Sequence, residues 1–203
     1  MRGLLLKDFY TLKSSLKIML LLIGVYGFIA LKSQDYAMLN LIIAMMCVVL
    51  PLTSCGYDEK SHWDKLALSM PISRNDLALS KYIFGLLLAT VGLLINVSLP
   101  FIIGSNQAID LIWQSLTIYA ASLVLLSFIL PVIFKIGVEK GRLALFIIFI
   151  LPTVVVMFVR DSSLPLPAQA QFDLFKIASP FLVVLVLMAS MFLSTNILKK
   201  KAY

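Results

Sequence analysis

Six long stretches of this 203-residue chain contain no Asp, Glu, Lys, Arg or His. A helix that crosses the hydrocarbon core of a membrane needs about 20 mostly apolar residues, within a range of roughly 17–25. Five stretches fall within that range, and the first reaches it if the three residues before Lys17 join it while that side chain extends to the interface. The stretches are Ile18–Leu31, Met38–Cys55, Tyr82–Gly104, Leu111–Phe134, Leu143–Val159 and Ile177–Leu198.

The composition therefore predicts an all-α integral membrane protein with six transmembrane helices. Only 13% of the residues are charged and 61% are hydrophobic, whereas a soluble chain has about 25% charged residues. Long continuous apolar runs are typical of helices rather than of the alternating strands of a membrane barrel. Soluble enzymes and nucleic-acid-binding proteins are disfavoured, and no nucleic acid is expected as a partner. A cleaved signal peptide is the alternative for the N-terminus, but no small-residue cleavage site follows Leu31.

Lys and Arg are distributed unequally between the two sets of loops. Fourteen of the 17 fall on one side of the predicted helices, and only Lys32, Arg160 and Lys176 fall on the other. Because cytoplasmic loops carry an excess of basic residues, both termini are predicted to be cytoplasmic, in a multi-pass protein of the cell membrane. The net charge of +7 then reflects topology, with anionic lipid headgroups as partners of the basic side chains.

The first cytoplasmic segment, residues 1–17, is amphipathic. Leu5, Phe9, Leu12 and Leu16 recur at the spacing of one face of a helix. This pattern predicts an N-terminal amphipathic elbow helix that lies in the membrane surface. Such a helix is either an anchor alone or also a partner-binding element.

The longest cytoplasmic loop, residues 56–81, is predicted to bind a partner. A connection between two helices needs only about 2–8 residues, and this loop has 26. The sequence predicts a single amphipathic helix over Tyr57–Ser69, a break at Pro71, and an N-cap at Ser73 that opens the next helix. The predicted docking residues are Asp58, Glu59, Lys60, His62, Trp63, Asp64, Lys65 and Arg74.

The loop YDEKSHWDKLALSMPISRNDLALSKY, with the opening MRGLLLKDFYTLK, resembles the type-2 class of membrane permeases from bacterial ATP-binding-cassette exporters, and in particular its short six-helix members from Gram-positive bacteria. The resemblance implies that this loop forms a coupling helix that binds a separate ATPase subunit. It also implies two permease subunits, identical or related, bound to two ATPase subunits. ATP and Mg would bind those ATPase subunits, and this chain would bind no cofactor. The substrates of the family include antimicrobial and cytolytic peptides, drugs and lipid-linked sugars.

No residue pattern predicts catalysis or metal binding by this chain. There is no phosphate-binding G-x-x-x-x-G-K-[ST] motif and no H-E-x-x-H motif, and His62 is the only histidine. The predicted helices carry no ionisable side chain, which disfavours an ion-coupled carrier. The leading hypothesis is a permease subunit of an ATP-driven exporter. The alternative is an ATPase-independent channel, carrier or peptide-immunity protein.

Uncharged polar residues within the predicted helices are candidates for a substrate path. The same residues have a simpler interpretation as interhelical hydrogen-bonding groups. The segment of residues 160–176 is predicted to be extracellular, and the resemblance implies that it re-enters the membrane. The candidate path residues are Asn40, Asn96, Ser98 and Gln114.

Overall fold

Helices account for nearly all of the residues that the structure describes. The computed structural model describes residues 2–33, 36–69, 73–103, 108–144, 146–147, 150 and 169–200. Residues 138–144 are helical as well. The other helices are α1 (Arg2–Thr11), α2 (Lys13–Ser33), α3 (Ala37–Lys60), α4 (Trp63–Leu68), α5 (Arg74–Ile103), α6 (Ala108–Ile136) and α7 (Gln169–Lys200).

Five of the described helices are long and apolar enough to cross a membrane. They correspond to the first four predicted spans and to the last one, so the prediction of an all-α membrane fold is confirmed. The fifth predicted span, Leu143–Val159, lies largely outside the described residues, and the count of six spans stays a prediction. The spans are Lys13–Ser33, Met38–Lys60, Arg74–Ser98, Leu111–Ile136 and Pro180–Lys199.

Helices α3, α5, α6 and α7 pack on one another, whereas α2 packs mainly on α3. In the most apolar stretch of 18 residues, α2 has only 6% of its residues buried, whereas α3 has 61% buried. Leu21 and Phe28 of α2 are 65% and 61% exposed. A spanning helix with this exposure presents its apolar side chains to lipid or to another protein. Either surrounding is compatible with its sequence, because lipid tails are as apolar as these side chains.

Two glycines allow α5 to lie close to its neighbours. A Cβ atom at Gly92 would lie 2.5 Å from Ile43 Cγ2 of α3, and one at Gly85 would lie 2.8 Å from two methyl carbons of Leu126 in α6. Both distances are shorter than a van der Waals contact between carbon atoms. Small residues at these positions therefore set the distance between the helices, as is common in membrane proteins.

The predicted elbow segment, residues 1–17, is divided between two helices. Helix α1 ends at Thr11, and Lys13 already begins α2. Between them Leu12 is fully buried, in a cluster with side chains of α3 and α5. The Phe9 ring meets the Phe84 ring of α5 edge to face, with centroids 5.5 Å apart. This N-terminal segment is thus part of the packed bundle, because its apolar stripe is covered partly by protein.

Four segments that are distant in sequence meet at one end of the bundle, here called the junction end. Asp8 of α1 contacts Lys81 of α5, and Glu59 at the end of α3 contacts the backbone of Val138. Arg74, at the start of α5, donates to backbone carbonyls near the end of α7. These segments are the four that carry most of the basic residues. Their cytoplasmic placement stays a prediction from the charge distribution.

Candidate functional site

The membrane helix α3 continues through the first residues of the predicted docking loop. It ends at Lys60, and the chain then turns at Ser61 and His62 before α4 begins at Trp63. His62 has a φ of 51°, a left-handed conformation that is uncommon for a residue other than glycine. Ser61 is the C-cap of α3, and its backbone N–H and its hydroxyl both donate to the carbonyl of Tyr57, at 3.0 and 2.8 Å.

The prediction of a single helix over Tyr57–Ser69 is therefore wrong. Residues 57–60 extend α3, and the amphipathic helix of the loop is α4, which has only six residues. Its apolar face is anchored by Ala67, which is fully buried, while Leu66 is 51% exposed. The break occurs at His62, because its left-handed backbone cannot continue a right-handed helix.

Asp58 faces the interior of the junction end rather than the surrounding solution. It is 8% exposed, and its two carboxylate oxygens accept from two lysines. Lys7 Nζ of α1 donates to Oδ1, and Lys81 Nζ of α5 lies 2.6 Å from Oδ2. Asp58 is one of the predicted docking residues, but α3 continues past it and turns its carboxylate toward α1 and α5 rather than toward the solution.

Asp8 completes a buried cluster of two carboxylates and two amines. Its Oδ1 lies 2.8 Å from Lys81 Nζ and 3.2 Å from Lys7 Nζ, and it accepts a hydrogen bond of 2.9 Å from Ser54 Oγ. Lys81 Nζ also donates to Ser54 Oγ at 2.7 Å. Asp8 is 1% exposed. Lys7, Asp8, Asp58 and Lys81 are called the ion cluster below, and their formal charges sum to zero.

The ion cluster also reaches the short helix α4. Lys7 Nζ lies 4.7 Å from the centroid of the Trp63 ring, within the range of a cation–π interaction. Trp63 is the first residue of α4. Through this contact the ion cluster touches the amphipathic helix of the loop as well as α1, α3 and α5.

Glu59 joins the loop to the segment after α6. Its Oε2 accepts from the backbone N–H of Val138 at 2.6 Å, where the helical residues 138–144 begin. A carboxylate at this position is favourable, because the first N–H groups of a helix have no partner within it. The preceding Gly137 has a φ of 93°, and a Cβ atom there would lie 2.9 Å from Glu59 Oε1. Glycine is thus favoured at position 137 for two reasons: the backbone has a positive φ, and the Glu59 carboxylate leaves no space for a Cβ atom.

The start of α5 is capped as predicted. Ser73 Oγ accepts from the backbone N–H of Asp76 at 3.1 Å, which confirms the predicted N-cap. The next residue, Arg74, donates to the carbonyls of Leu198 and Lys199 at 3.2 and 2.8 Å. A cation there is favourable, since the last carbonyls of a helix lack partners within it.

The structure separates the eight predicted docking residues by environment. Glu59, Lys60 and His62 are exposed at the turn after α3, whereas Trp63 and Arg74 are partly buried. Asp58 is buried, and residues 64 and 65 lie on α4. Their role in docking stays a prediction. Sequence reasoning did not identify Asp8, Lys7, Ser54 and Lys81 as partners, although a single acid among the basic residues of the N-terminal segment was a usable signal.

The four candidate path residues do not line one cavity. Asn96 lines a small cavity between α3, α5 and α6, together with Cys47, Ser115, Tyr119 and Ser122. The cavity has room for about one water molecule. Among the described residues no donor reaches Asn96 Oδ1. Asn40 is buried elsewhere on α3, and Ser98 and Gln114 are exposed.

A chain of hydroxyl groups compensates for a proline within the bundle. Pro131 has no N–H, so the carbonyl of Ser127 on the preceding turn of α6 loses its helical donor. Ser190 Oγ of α7 donates to that carbonyl. Tyr82 OH of α5 lies 2.6 Å from Ser190 Oγ and 2.7 Å from Ser194 Oγ. The hydroxyls thus join three helices, in agreement with the interhelical interpretation of polar residues in the spans.

Replacing Ser190 with alanine is expected to lower the free energy of unfolding by about 1 kcal/mol, since interhelical hydrogen bonds in membranes contribute about that amount. The change removes the donor to the Ser127 carbonyl. SDS-induced unfolding in mixed micelles measures the resulting loss of stability. The matched control is Thr195→Ala, because Thr195 donates to the carbonyl of Phe192 within α7. Equal effects of the two changes would contradict the proposed importance of the interhelical bond.

Among the described residues no group of three His, Cys, Asp or Glu side chains is arranged to hold a metal ion. The two acids of the ion cluster are paired with lysines instead. At the junction end, ion pairs and a cation–π contact join α1, α3, α4 and α5, and an exposed charged turn lies beside them.

A comparison with known proteins identifies the family. The model of the family described as "ABC-2 family transporter protein" matches residues 3–199, which include the ion cluster, the loop of residues 56–81 and all five described spans. No curated protein and no solved structure matches the chain significantly. The family match confirms the resemblance to type-2 permeases of ATP-binding-cassette transporters. The chain is a multi-pass membrane protein that belongs to the ABC-2 family of transporters.

Proposed function

We propose that this protein is the permease subunit of an ATP-driven exporter and that separate ATP-binding subunits dock at its junction end. The family membership supports a permease that works with an ATP-binding subunit. The geometry that carries the proposal is the continuation of α3 beyond its apolar stretch, followed by the turn at Ser61 and His62 and the short helix α4. ATP and Mg would bind the partner subunits.

The end of α3 is suited to transmit a displacement. A helix is a rigid element, and rigid-body shifts of helices are a common form of conformational coupling. Glu59 is fixed to the backbone of Val138, and Asp58 is fixed to α1 and α5 by the two lysines. A force on the turn after α3 is therefore distributed to four segments of the bundle rather than absorbed by a flexible loop.

The exposed turn supplies a charged docking surface. Glu59, Lys60 and His62 are exposed and adjacent, with charges of both signs. Complementary charge across an interface increases the rate of encounter and selects the partner. Asp58 contributes from the interior, by holding the end of α3 in place, rather than through contact with the partner.

The remaining features of the proposal follow from charge and exposure. The basic excess at the junction end supports its placement in the cytoplasm, where ATP is available, and supports the cell membrane as the location. A second permease subunit, identical or related, is proposed to complete the transport path. The resemblance to type-2 exporters supports a peptide or another drug-like amphiphile as the substrate.

Docking is tested by reversing charge at the exposed turn. The double change Lys60→Glu and His62→Asp is expected to reduce co-purification with a co-expressed ATP-binding subunit about tenfold or more, which corresponds to ~1.4 kcal/mol in binding; aspartate also tolerates the left-handed conformation of residue 62. Both side chains are exposed, so folding should be retained. Glu59 and Trp63 are less suitable, because each also makes a contact within the protein.

Lys32→Glu is the matched control, because Lys32 is exposed at the opposite end of α2. It should leave co-purification unchanged. Equal binding by the Lys60/His62 variant and the unaltered protein would refute this docking surface. Transport into sealed vesicles that persists without nucleotide would instead favour an ATPase-independent channel or carrier.

A further inference from the structure

The ion cluster connects α1, α3 and α5 at the junction end, and it contacts α4 as well. Lys7 and Asp8 belong to α1, Asp58 to α3 and Lys81 to α5. Trp63 of α4 packs against Lys7. The cluster is largely shielded from solvent, with side-chain exposures of 1% for Asp8, 7% for Lys81, 11% for Asp58 and 21% for Lys7.

We infer that Asp8 is a positioning residue that makes α1 move together with α4 and the adjoining ends of α3 and α5 when ATP-binding subunits act on the protein. The inference rests on the proposed function, and it adds the N-terminal helix to the moving unit. Asp8 acts through Lys7 and Lys81, with which it shares the ion cluster. It is not proposed to touch the substrate or the nucleotide.

The energetics of buried ion pairs support a positioning role over a purely stabilising one. A buried pair contributes little net stability compared with apolar residues of the same volume, because its attraction mainly offsets the cost of removing both charges from water. Separating the partners is strongly unfavourable, since each charge is then left unpaired. Helix α1 therefore cannot move away from α3 or α5 without exposing or isolating Asp8.

The hydrogen bonding of Asp8 is uneven, which gives the ion cluster room to rearrange. Its Oδ1 accepts from Ser54 and lies within ion-pair distance of both Lys7 and Lys81. Its Oδ2 is buried, and no donor reaches it among the residues that the structure describes. If the amine of Lys7 or Lys81 moves from Oδ1 to Oδ2 of Asp8, it stays paired with the same carboxylate throughout. A shift between two paired arrangements is therefore accessible without an isolated charge.

The chain continues from α1 directly into the first membrane helix. The fully buried Leu12 lies between the two helices. Its N–H donates to the carbonyl of Asp8, and its carbonyl accepts from the N–H of Leu16, so helical hydrogen bonding continues from α1 into α2. Helix α2 buries only 6% of the residues in its most apolar window. A peripheral helix with few contacts of its own follows the element to which it is covalently joined. Motion of α1 would thus reach α2.

The test compares two single-cysteine reporters in the complete complex with its ATP-binding subunit. Thr11→Cys reports on α1 and Leu66→Cys on α4, because both positions are exposed. The native Cys47 and Cys55 are buried, and the protein without added cysteines gives the background. The measurement is the rate of labelling by a water-soluble maleimide, with and without Mg²⁺ and a non-hydrolysable ATP analogue.

Both reporters are expected to change their labelling rate when the nucleotide analogue is added. Asp8→Asn should abolish the change at position 11 and retain the change at position 66, since docking at α4 is intact while α1 is uncoupled. Asp76→Asn is the matched control, because it removes a carboxylate from the first turn of α5 outside the ion cluster. It should leave both responses intact.

A retained response at position 11 in Asp8→Asn would overturn the inference, and so would loss of both responses together. No response at position 11 in the unaltered protein, with a response at position 66, would also overturn it and leave the proposed function standing. No response at position 66 in the unaltered protein would refute the proposed function itself. If Asp8→Asn does not assemble, the double variant Asp8→Asn with Lys81→Met decides, because it removes the ion pair between α1 and α5 while the ion cluster stays neutral, and it should give the same selective loss.

Discussion

Replacing Lys81 with methionine is expected to lower the free energy of unfolding by about 3–5 kcal/mol, the cost of removing one member of a buried ion pair. The change keeps an unbranched side chain, one atom shorter, and deletes its charge. Asp8 and Asp58 then share only the charge of Lys7, and Ser54 Oγ loses the amine that donates to it. Unfolding by SDS in mixed micelles or the thermal midpoint in detergent measures the loss.

A second substitution separates charge balance from packing. Adding Asp8→Asn to Lys81→Met restores a neutral ion cluster, in which Lys7 remains with Asp58. The double variant should be more stable than the sum of the two single effects, because the residues interact directly. Lys17→Met is the control for loss of a lysine at an exposed position and should change stability by less than about 0.5 kcal/mol. Strict additivity would contradict the electrostatic explanation.

Gly92→Ala is expected to destabilise the packing of α5 on α3 by about 1–3 kcal/mol, the usual cost of inserting a carbon into a filled core. The new Cβ atom would lie 2.5 Å from Ile43 Cγ2 and 3.5 Å from Cys47 Sγ. One of the two helices must then shift or Ile43 must change its rotamer. The same unfolding assay in mixed micelles measures the effect.

The identical substitution at Gly24 is the matched control. No atom lies within 4 Å of the position that a Cβ would take there, so alanine should be neutral or slightly stabilising through its helix propensity. Ile43→Ala removes the obstructing methyl group and should make Gly92→Ala less costly than it is in the unaltered protein. Equal effects at positions 24 and 92 would show that close helix approach does not set the stability.

Part of the candidate site could be predicted from the sequence. The length and mixed charge of residues 56–81 indicated a structured loop, and the Ser73 N-cap was identified from local spacing alone. Local patterns are sufficient here because a cap depends on residues three positions apart. The ending of α3 at Lys60 was missed, since it depends on the backbone conformation of His62 and on the internal partners of Asp58.

The partners of the buried charges could not be predicted for a similar reason. Asp8 and Lys81 are 73 positions apart, and Lys7 and Asp58 are 51 positions apart. Amphipathic periodicity assigns a residue to a face of its own helix, but it carries no information about which distant helix covers that face. The apolar stripe of residues 1–17 gave no partner for Asp8, whereas packing of α1 against α3 and α5 buries this residue.

By itself, the sequence determined that this protein lies in a membrane, that it is helical, and which segments carry the charge. These properties follow from the cost of placing charges in hydrocarbon and from the need to satisfy every backbone group within a spanning segment. Only the tertiary structure decided which charges neutralise one another, which carbonyl accepts the hydrogen bond of the Ser190 hydroxyl, and why position 92 is glycine. Those features depend on distances between helices, and such distances are fixed by packing among residues far apart in the chain.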